Sequence, residues 1–181
     1  MIADFARPSL IQHVAENNPG KARTKLTLVG SRYFGATALE RLLKEDIEIA
    51  RVIVPVAEDR LAVAAKAAGL DVVVLDDPSI VPPEAIAEGT DLIVAAHSHA
   101  RVSSDALARS RLGGIGFHPS LLPRHRGIAA VEWTIEEGDP IAGGSIYHLA
   151  EQMDATDGAG LASARHPRGK NPRQIAGHAA R

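Results

Sequence analysis

The sequence predicts an α/β protein built on a doubly wound, mostly parallel, Rossmann-like sheet. Three observations predict it. Short apolar runs alternate with segments of helical spacing from residue 26 to residue 149, the pattern of strand–helix–strand crossovers. The first run, 26–29, ends in Gly30-Ser31 and leads into a helical segment. Strand, glycine turn and helix open a nucleotide-binding-type unit. The run over 49–54 is apolar apart from Arg51, as suits a parallel strand covered on both faces.

Composition narrows the class. The chain has 181 residues, 45% hydrophobic and 23% charged, enough for one domain with a proper core. Its formal net charge of −2 gives no overall drive toward nucleic acid or a membrane surface. An aromatic content of 3% disfavours a base-stacking surface. Cysteine is absent, which excludes disulfides, thiolate metal sites and a cysteine nucleophile, and agrees with a cytoplasmic location. No apolar run is long enough to span a bilayer. The first residues, with Asp4, lack the basic-then-apolar order of a signal peptide.

Taken in order, residues 1–24 read as an extension outside the main fold, with one helical stretch over 8–16 that Asn17-Asn18-Pro19-Gly20 breaks. The domain itself is expected over 25–158. After the first strand, a helix over 35–44 carries Ala38, Leu39, Leu42 and Leu43 at helical spacing. Gly30 and Gly35 have the spacing of a P-loop, but no Lys-Ser/Thr follows, so that motif is rejected. Two readings remain for this helix start: amides that receive an anionic group, or a plain tight turn. Pro55 ends the second strand, and an alanine-rich helix over 59–68 closes at Gly69. A third strand spans 71–75, Asp76-Asp77-Pro78 turns the chain, a short helix spans 82–88, and a fourth strand spans 91–95.

The next loop reads Ala96-His97-Ser98-His99-Ala100-Arg101. Two histidines one residue apart could ligate a metal. No Asp, Glu or Cys stands immediately nearby, and metal sites need three or four well-placed ligands. No metal is expected here. Ser103-Ser104-Asp105 caps a helix through residue 110. A fifth strand covers 112–117, a helix covers 128–137 with Val131 and Ile135 on one side and Trp133 under the preceding loop, and a half-buried strand covers 144–149. Residues 159–181 are rich in Ala, Arg, Gly and Pro without apolar periodicity. They predict a basic, poorly ordered tail that is dispensable for folding.

The stretch 113–127 carries the chemistry. Its glycines let a ligand or another backbone approach closely. Pro119 and Pro123 stiffen the loop on either side of Ser120-Leu121-Leu122. His118 therefore sits at the carboxyl end of a strand, held by a braced loop, a good position for a general acid or base.

His118-Pro119-Ser120-Leu121-Leu122-Pro123 followed by Gly127 resembles the signature of the folate-dependent formyltransferase superfamily, with Gly116 standing where that family has an Asn. The resemblance implies a formyltransferase-like fold from about residue 26 to residue 154. It implies transfer of a formyl group from 10-formyltetrahydrofolate to an amine, with a small-molecule or nucleotide-linked amine as the partner. It makes His118 the proton shuttle and an oxyanion donor. The family Asp falls on Asp154, with Asp157-Gly158 as the alternative register. It implies a folate between three loops, lined by Ala96, His97, Ser98, His99, Ser120, Leu121, Leu122, Pro123 and Asp157.

The missing Asn leaves several replacements open: a backbone amide, a water, His97 or His99. An Asn introduced at 116 is expected to supply the donor and raise the rate. A folate-binding protein without catalysis and a hydrolase that passes the formyl group to water are the alternatives.

Overall fold

The computed structural model describes residues 23–149 and, for the backbone, residues 158–165. The elements run β1 (Thr24–Gly30), α1 (Arg32–Leu42), β2 (Ile47–Val54), α2 (Arg60–Ala67), β3 (Val72–Val74), β4 (Ile80–Val81) and a 3₁₀ turn (Pro83–Ala85). They continue with β5 (Leu92–Ala96), β6 (Arg101–Val102), α3 (Ser104–Leu107), β7 (Gly114–His118), α4 (Ala130–Glu136), β8 (Ile141–His148) and β9 (Gly158–Arg165). Seven strands form the main sheet in the order β3-β2-β1-β5-β7-β8-β9. The pairs from β3 to β7 are parallel, and β8 and β9 add antiparallel to that edge.

Strand alternation sorts the core into two faces. On one, Leu26, Leu28, Val52 and Val54 meet Leu39 of α1 and Leu61, Ala62 and Ala65 of α2. On the other, Val29, Ile53 and Ile93 meet Val81 of β4, Ala85, Ile86, Val102 of β6 and Ala106 of α3. A register shift at Leu26/Thr27 skips Ala50 in β2, which is how Ile49 and Val52 come to serve the same face. Full burial of side chains such as Leu28, Leu39, Ile53, Leu61 and Ile93 contributes roughly 1.5–3 kcal/mol each.

β1 and β5 approach so closely at their carboxyl ends that a Cβ on Gly30 would collide with the Ala96 carbonyl oxygen and reach 3.3 Å from Leu61 Cδ2. Glycine here is a packing requirement. β2 leaves β1 on one side and β5 flanks it on the other, so the winding reverses between β1 and β5.

Three expectations are corrected. α1 begins at Arg32 rather than residue 35, because Asp59 takes up its first amide; the Asp59 oxygens accept from Arg32 N at 2.9 and 3.0 Å. The helix start does receive an anionic group, and it is this chain's own. Residues 158–165 are not a poorly ordered tail but the edge strand β9, paired with β8 from Tyr147↔Gly158 to Ile141↔Arg165. Pairing through main-chain groups needs no apolar period, which is why composition concealed it. Trp133 is 48% exposed and does not pack under the loop, because α4 buries Ala130 and Thr134 instead.

Residues 1–22, 150–157 and 166–181, including Asp154 and Asp157, lie outside the described residues. No helix among the described residues is long and apolar enough to cross a membrane.

Candidate active site

β7 delivers His118 to the carboxyl end of the sheet, on the face shared with α3. His118 is 6% exposed. Its Nε2 lies 2.8 Å from the main-chain carbonyl of His125. A carbonyl only accepts, so Nε2 carries the proton and donates, and in the neutral ring Nδ1 is the basic nitrogen.

The loop that supplies this carbonyl is fixed from within. Ser120 Oγ donates to the Arg124 carbonyl at 2.7 Å, and its own carbonyl accepts from Ser145 Oγ at 2.7 Å. Leu122 N–H donates to Ser145 Oγ at 2.9 Å. The Leu122–Pro123 peptide is cis. Ser120 is 1% exposed, so its hydroxyl shapes the loop, while Leu121 and Leu122 are half-buried and Pro123 is exposed.

The far end of the loop is tied by charge. His125 Nε2 lies 2.7 Å from Asp139 Oδ2, and the Arg124 guanidinium bonds Asp139 at 2.7 and 2.8 Å and Glu137 at 2.5 Å. Arg124, then His125, holds the Asp139 carboxyl down at about 2. His125, Glu137 and Asp139 offer ligand atoms within 4.8 Å of one another. The Arg124 guanidinium already pairs with both carboxylates, so the cluster reads as an ion-pair anchor. Sequence reasoning missed this anchor. Its only signal is a basic Arg124-His125-Arg126 run followed by the Gly138-Asp139-Pro140 turn.

The histidine loop after β5 lies on the strand next to β7. Ala95 pairs with Gly116, so His97 and His118 leave neighbouring strand ends. His97 has φ 57°, and its carbonyl accepts from Ser31 Oγ at 2.7 Å. Its Nε2 is buried without a hydrogen-bond partner among the described residues. Burial first, then His99 and Arg32, lowers its pKa, which favours a neutral ring. The His97 and His99 rings meet edge-on at 5.2 Å. Ser98 closes a local turn with Ala100 N–H at 3.1 Å.

A crevice of about 280 Å³ opens beside this loop, between Gly30-Ser31-Arg32, Val54-Pro55-Val56, Asp59 and Ser98-His99-Ala100. It sits at the strands' carboxyl ends, where doubly wound sheets bind ligands. A second cavity of about 190 Å³ lies behind the loop, among Leu121, Arg124, His125 and Asp139. His118 lines neither, and stands one strand along from the first.

Gly116 has a specific neighbour. A Cβ built on it would lie 2.7 Å from Tyr147 Cζ and 2.9 Å from the Tyr147 hydroxyl oxygen. The end of the phenol ring therefore fills the space that an Asn side chain at 116 would need. The expectation that Gly116→Asn simply adds a donor is corrected: the position is already covered.

Residues 27–166 match the family model described as Formyl transferase. Over 148 residues the chain is 34% identical to mitochondrial 10-formyltetrahydrofolate dehydrogenase of Mus musculus, covering 74% of this chain and 16% of that protein. Over 147 residues it is 34% identical to methionyl-tRNA formyltransferase of Streptococcus pneumoniae serotype 19F (strain G54), covering 74% of this chain and 47% of that one. It thus spans about half of the second relative and about a sixth of the first.

Glycinamide ribonucleotide transformylase 1 from Symbiobacterium toebii superposes with TM-score 0.74 at 21% identity, over 87% of this chain and 81% of that one. Phosphoribosylglycinamide formyltransferase from Campylobacter jejuni subsp. jejuni NCTC 11168 does so with TM-score 0.74 at 21% identity, over 88% and 91%. At these identities the structures report the fold. The family match runs through β9, past residue 154, where the sequence resemblance had ended. By a match that covers most of its length, from within β1 to just beyond β9, the chain belongs to the formyl transferase family.

Proposed function

We propose that this chain transfers a formyl group from 10-formyltetrahydrofolate to a small or nucleotide-linked amine in the cytoplasm. The observation that carries the reading is the fixed imidazole of His118. It is seated at a strand's carboxyl end with Nε2–H on the His125 carbonyl, which presents Nδ1 as the base.

Formyl transfer sets three demands. The amine must be held in line with the formyl carbon, its excess proton must leave, and the oxygen that gains charge must be stabilised. His118 takes the proton from the attacking nitrogen and returns it to the departing folate nitrogen. A carboxylate from the segment 150–157, Asp154 or Asp157, orients His118 or a relaying water. The folate lies between the 96–99 loop, the 120–123 loop and that segment. The orphaned Nε2 of His97 suits the polar edge of its bicyclic ring, since a buried polar atom calls for a partner.

The test is a titration with a 5-deaza folate analogue, followed by 10-formyltetrahydrofolate with a panel of amines that includes glycinamide ribonucleotide and an amino-sugar nucleotide. Amine-dependent release of tetrahydrofolate is expected. Tetrahydrofolate and formate without an amine would mark a hydrolase instead. Binding without turnover would mark a folate-binding protein, and no binding would defeat the reading.

A further inference from the structure

We infer that the phenol of Tyr147 is the hydrogen-bond donor to the formyl oxygen in the transition state, and so a second catalytic residue beside His118; this rests on the formyl-transfer reading above.

The strand register carries the argument. Tyr147 on β8 pairs directly with Gly116 on β7, and Ser145 pairs with His118. In a strand, residues two apart share a face, so Gly116 and His118 point the same way, as do their partners Tyr147 and Ser145. Along β7 this separation is roughly 6.6 Å, which places a small reacting group within reach of both. Gly116 has no side chain of its own to offer. Its place is taken by Tyr147, whose hydroxyl oxygen would stand 2.9 Å from a Cβ on Gly116. The next glycine down the same face, Gly114, is roofed by the apolar Leu149 and Leu107. Of the side chains laid over the two glycines on this face of β7, the one nearer His118 in register therefore brings a hydroxyl. Tyr147 is half-buried.

The chemistry balances. The amine nitrogen forms a bond to the formyl carbon, and the carbonyl π pair moves to oxygen. Tyr147 O–H donates a hydrogen bond to that oxygen without giving up its proton, since a phenol stays protonated at neutral pH. As the pair returns, the bond to the folate nitrogen breaks, and that nitrogen takes the proton that His118 removed from the amine. A preorganised donor of this kind is typically worth about 10²–10³ in rate. Its contact strengthens in the transition state, so it acts on kcat and leaves KM nearly unchanged.

Five proteins test it: wild type, Tyr147→Phe, His118→Ala, Tyr147→Ala, and Tyr147→Ala combined with Gly116→Asn. Release of tetrahydrofolate from 10-formyltetrahydrofolate is followed with the amine panel and with water alone. Binding of a 5-deaza folate analogue and Tm are measured in parallel. Tyr147→Phe keeps the ring over Gly116 and should lower kcat about 100-fold, with KM, analogue affinity and Tm close to wild type. Tyr147→Ala clears the space, and Gly116→Asn added to it should restore at least tenfold of the lost rate. Wild-type turnover in Tyr147→Phe overturns the inference. So does a rate loss matched by losses in affinity and Tm, which would mean packing alone. If wild type itself shows no turnover beyond His118→Ala, the formyl-transfer reading falls and takes this inference with it. That failure appears in the wild-type protein and so is distinct from the others.

Discussion

The imidazole Nε2 of His118 and the main-chain oxygen of His125 stand 2.8 Å apart, so a loop carbonyl sets which nitrogen of the candidate proton shuttle carries the proton. The neutral ring is expected to carry its proton on Nε2, and ¹⁵N correlation spectra of histidine-labelled protein above the ring's titration will show it. A proton on Nδ1 would reverse the orientation argued above. His118→Ala should reduce turnover by about 10²–10⁴, the range of a positioned acid–base group.

Ser145 links the sheet to the loop with one hydroxyl, which donates to the Ser120 carbonyl and accepts from Leu122 N–H. Ser145→Ala removes both bonds at a fully buried position. It should cost about 1–3 kcal/mol of stability, as two modest hydrogen bonds and an unmet amide imply. Urea titration measures the loss. The rate should fall as well, because His118 takes its orientation from the same loop.

The Asp139 carboxyl, held down at about 2 by Arg124 and His125, makes stability depend on acid. A carboxylate whose folded pKa lies below its unfolded one contributes stability above the unfolded value and loses it as pH falls through the folded one. The wild type should therefore lose stability between about pH 4 and pH 2, over and above Asp139→Asn, whose profile should be flatter there. Chemical denaturation across that interval compares the two, and parallel curves would refute the coupling.

β9 closes the open edge of β8 through the pairs from Tyr147↔Gly158 to Ile141↔Arg165. A chain ending at residue 157 would leave β8 as a bare edge, with Ile141 and Ile146 already 47% and 38% exposed. Such edges pair with other chains. The truncated protein should melt lower and run as larger species in size-exclusion chromatography, whereas a monomer of wild-type Tm would make β9 dispensable.

What the sequence disclosed follows from physics that acts locally. Apolar period and glycine turns announced β1, β2, β5 and β7, because burial on both faces forces continuous apolar runs. Proline bracing pointed to His118 because it acts within one loop. The Ser103 cap, which accepts from Ala106 N at 3.1 Å, was legible for the same reason. Long-range pairing was not: Asp59 on Arg32 N, Asp139 on His125 and Tyr147 over Gly116 join residues 27, 14 and 31 positions apart. β4 and β6 escaped notice because each has two residues. Sequence exposed the lack of an Asn at 116, but only the register of β7 on β8 reveals what lies over the gap.

That register has a consequence for how the chain tolerates change. Ser145 and Tyr147 reach the face of His118 only while β8 stays in step with β7, and a slip of one residue turns both toward the opposite side. An insertion or deletion within 141–147 could leave the fold intact and still erase the site's supports at one stroke. Gly144 guards against the slip that would bring Ser145 into its place on the reverse face: a Cβ there would strike the Phe117 ring, which is itself stacked on Phe34 at 4.7 Å. An aromatic stack beneath the sheet thus acts as a phase lock for the chemistry above it.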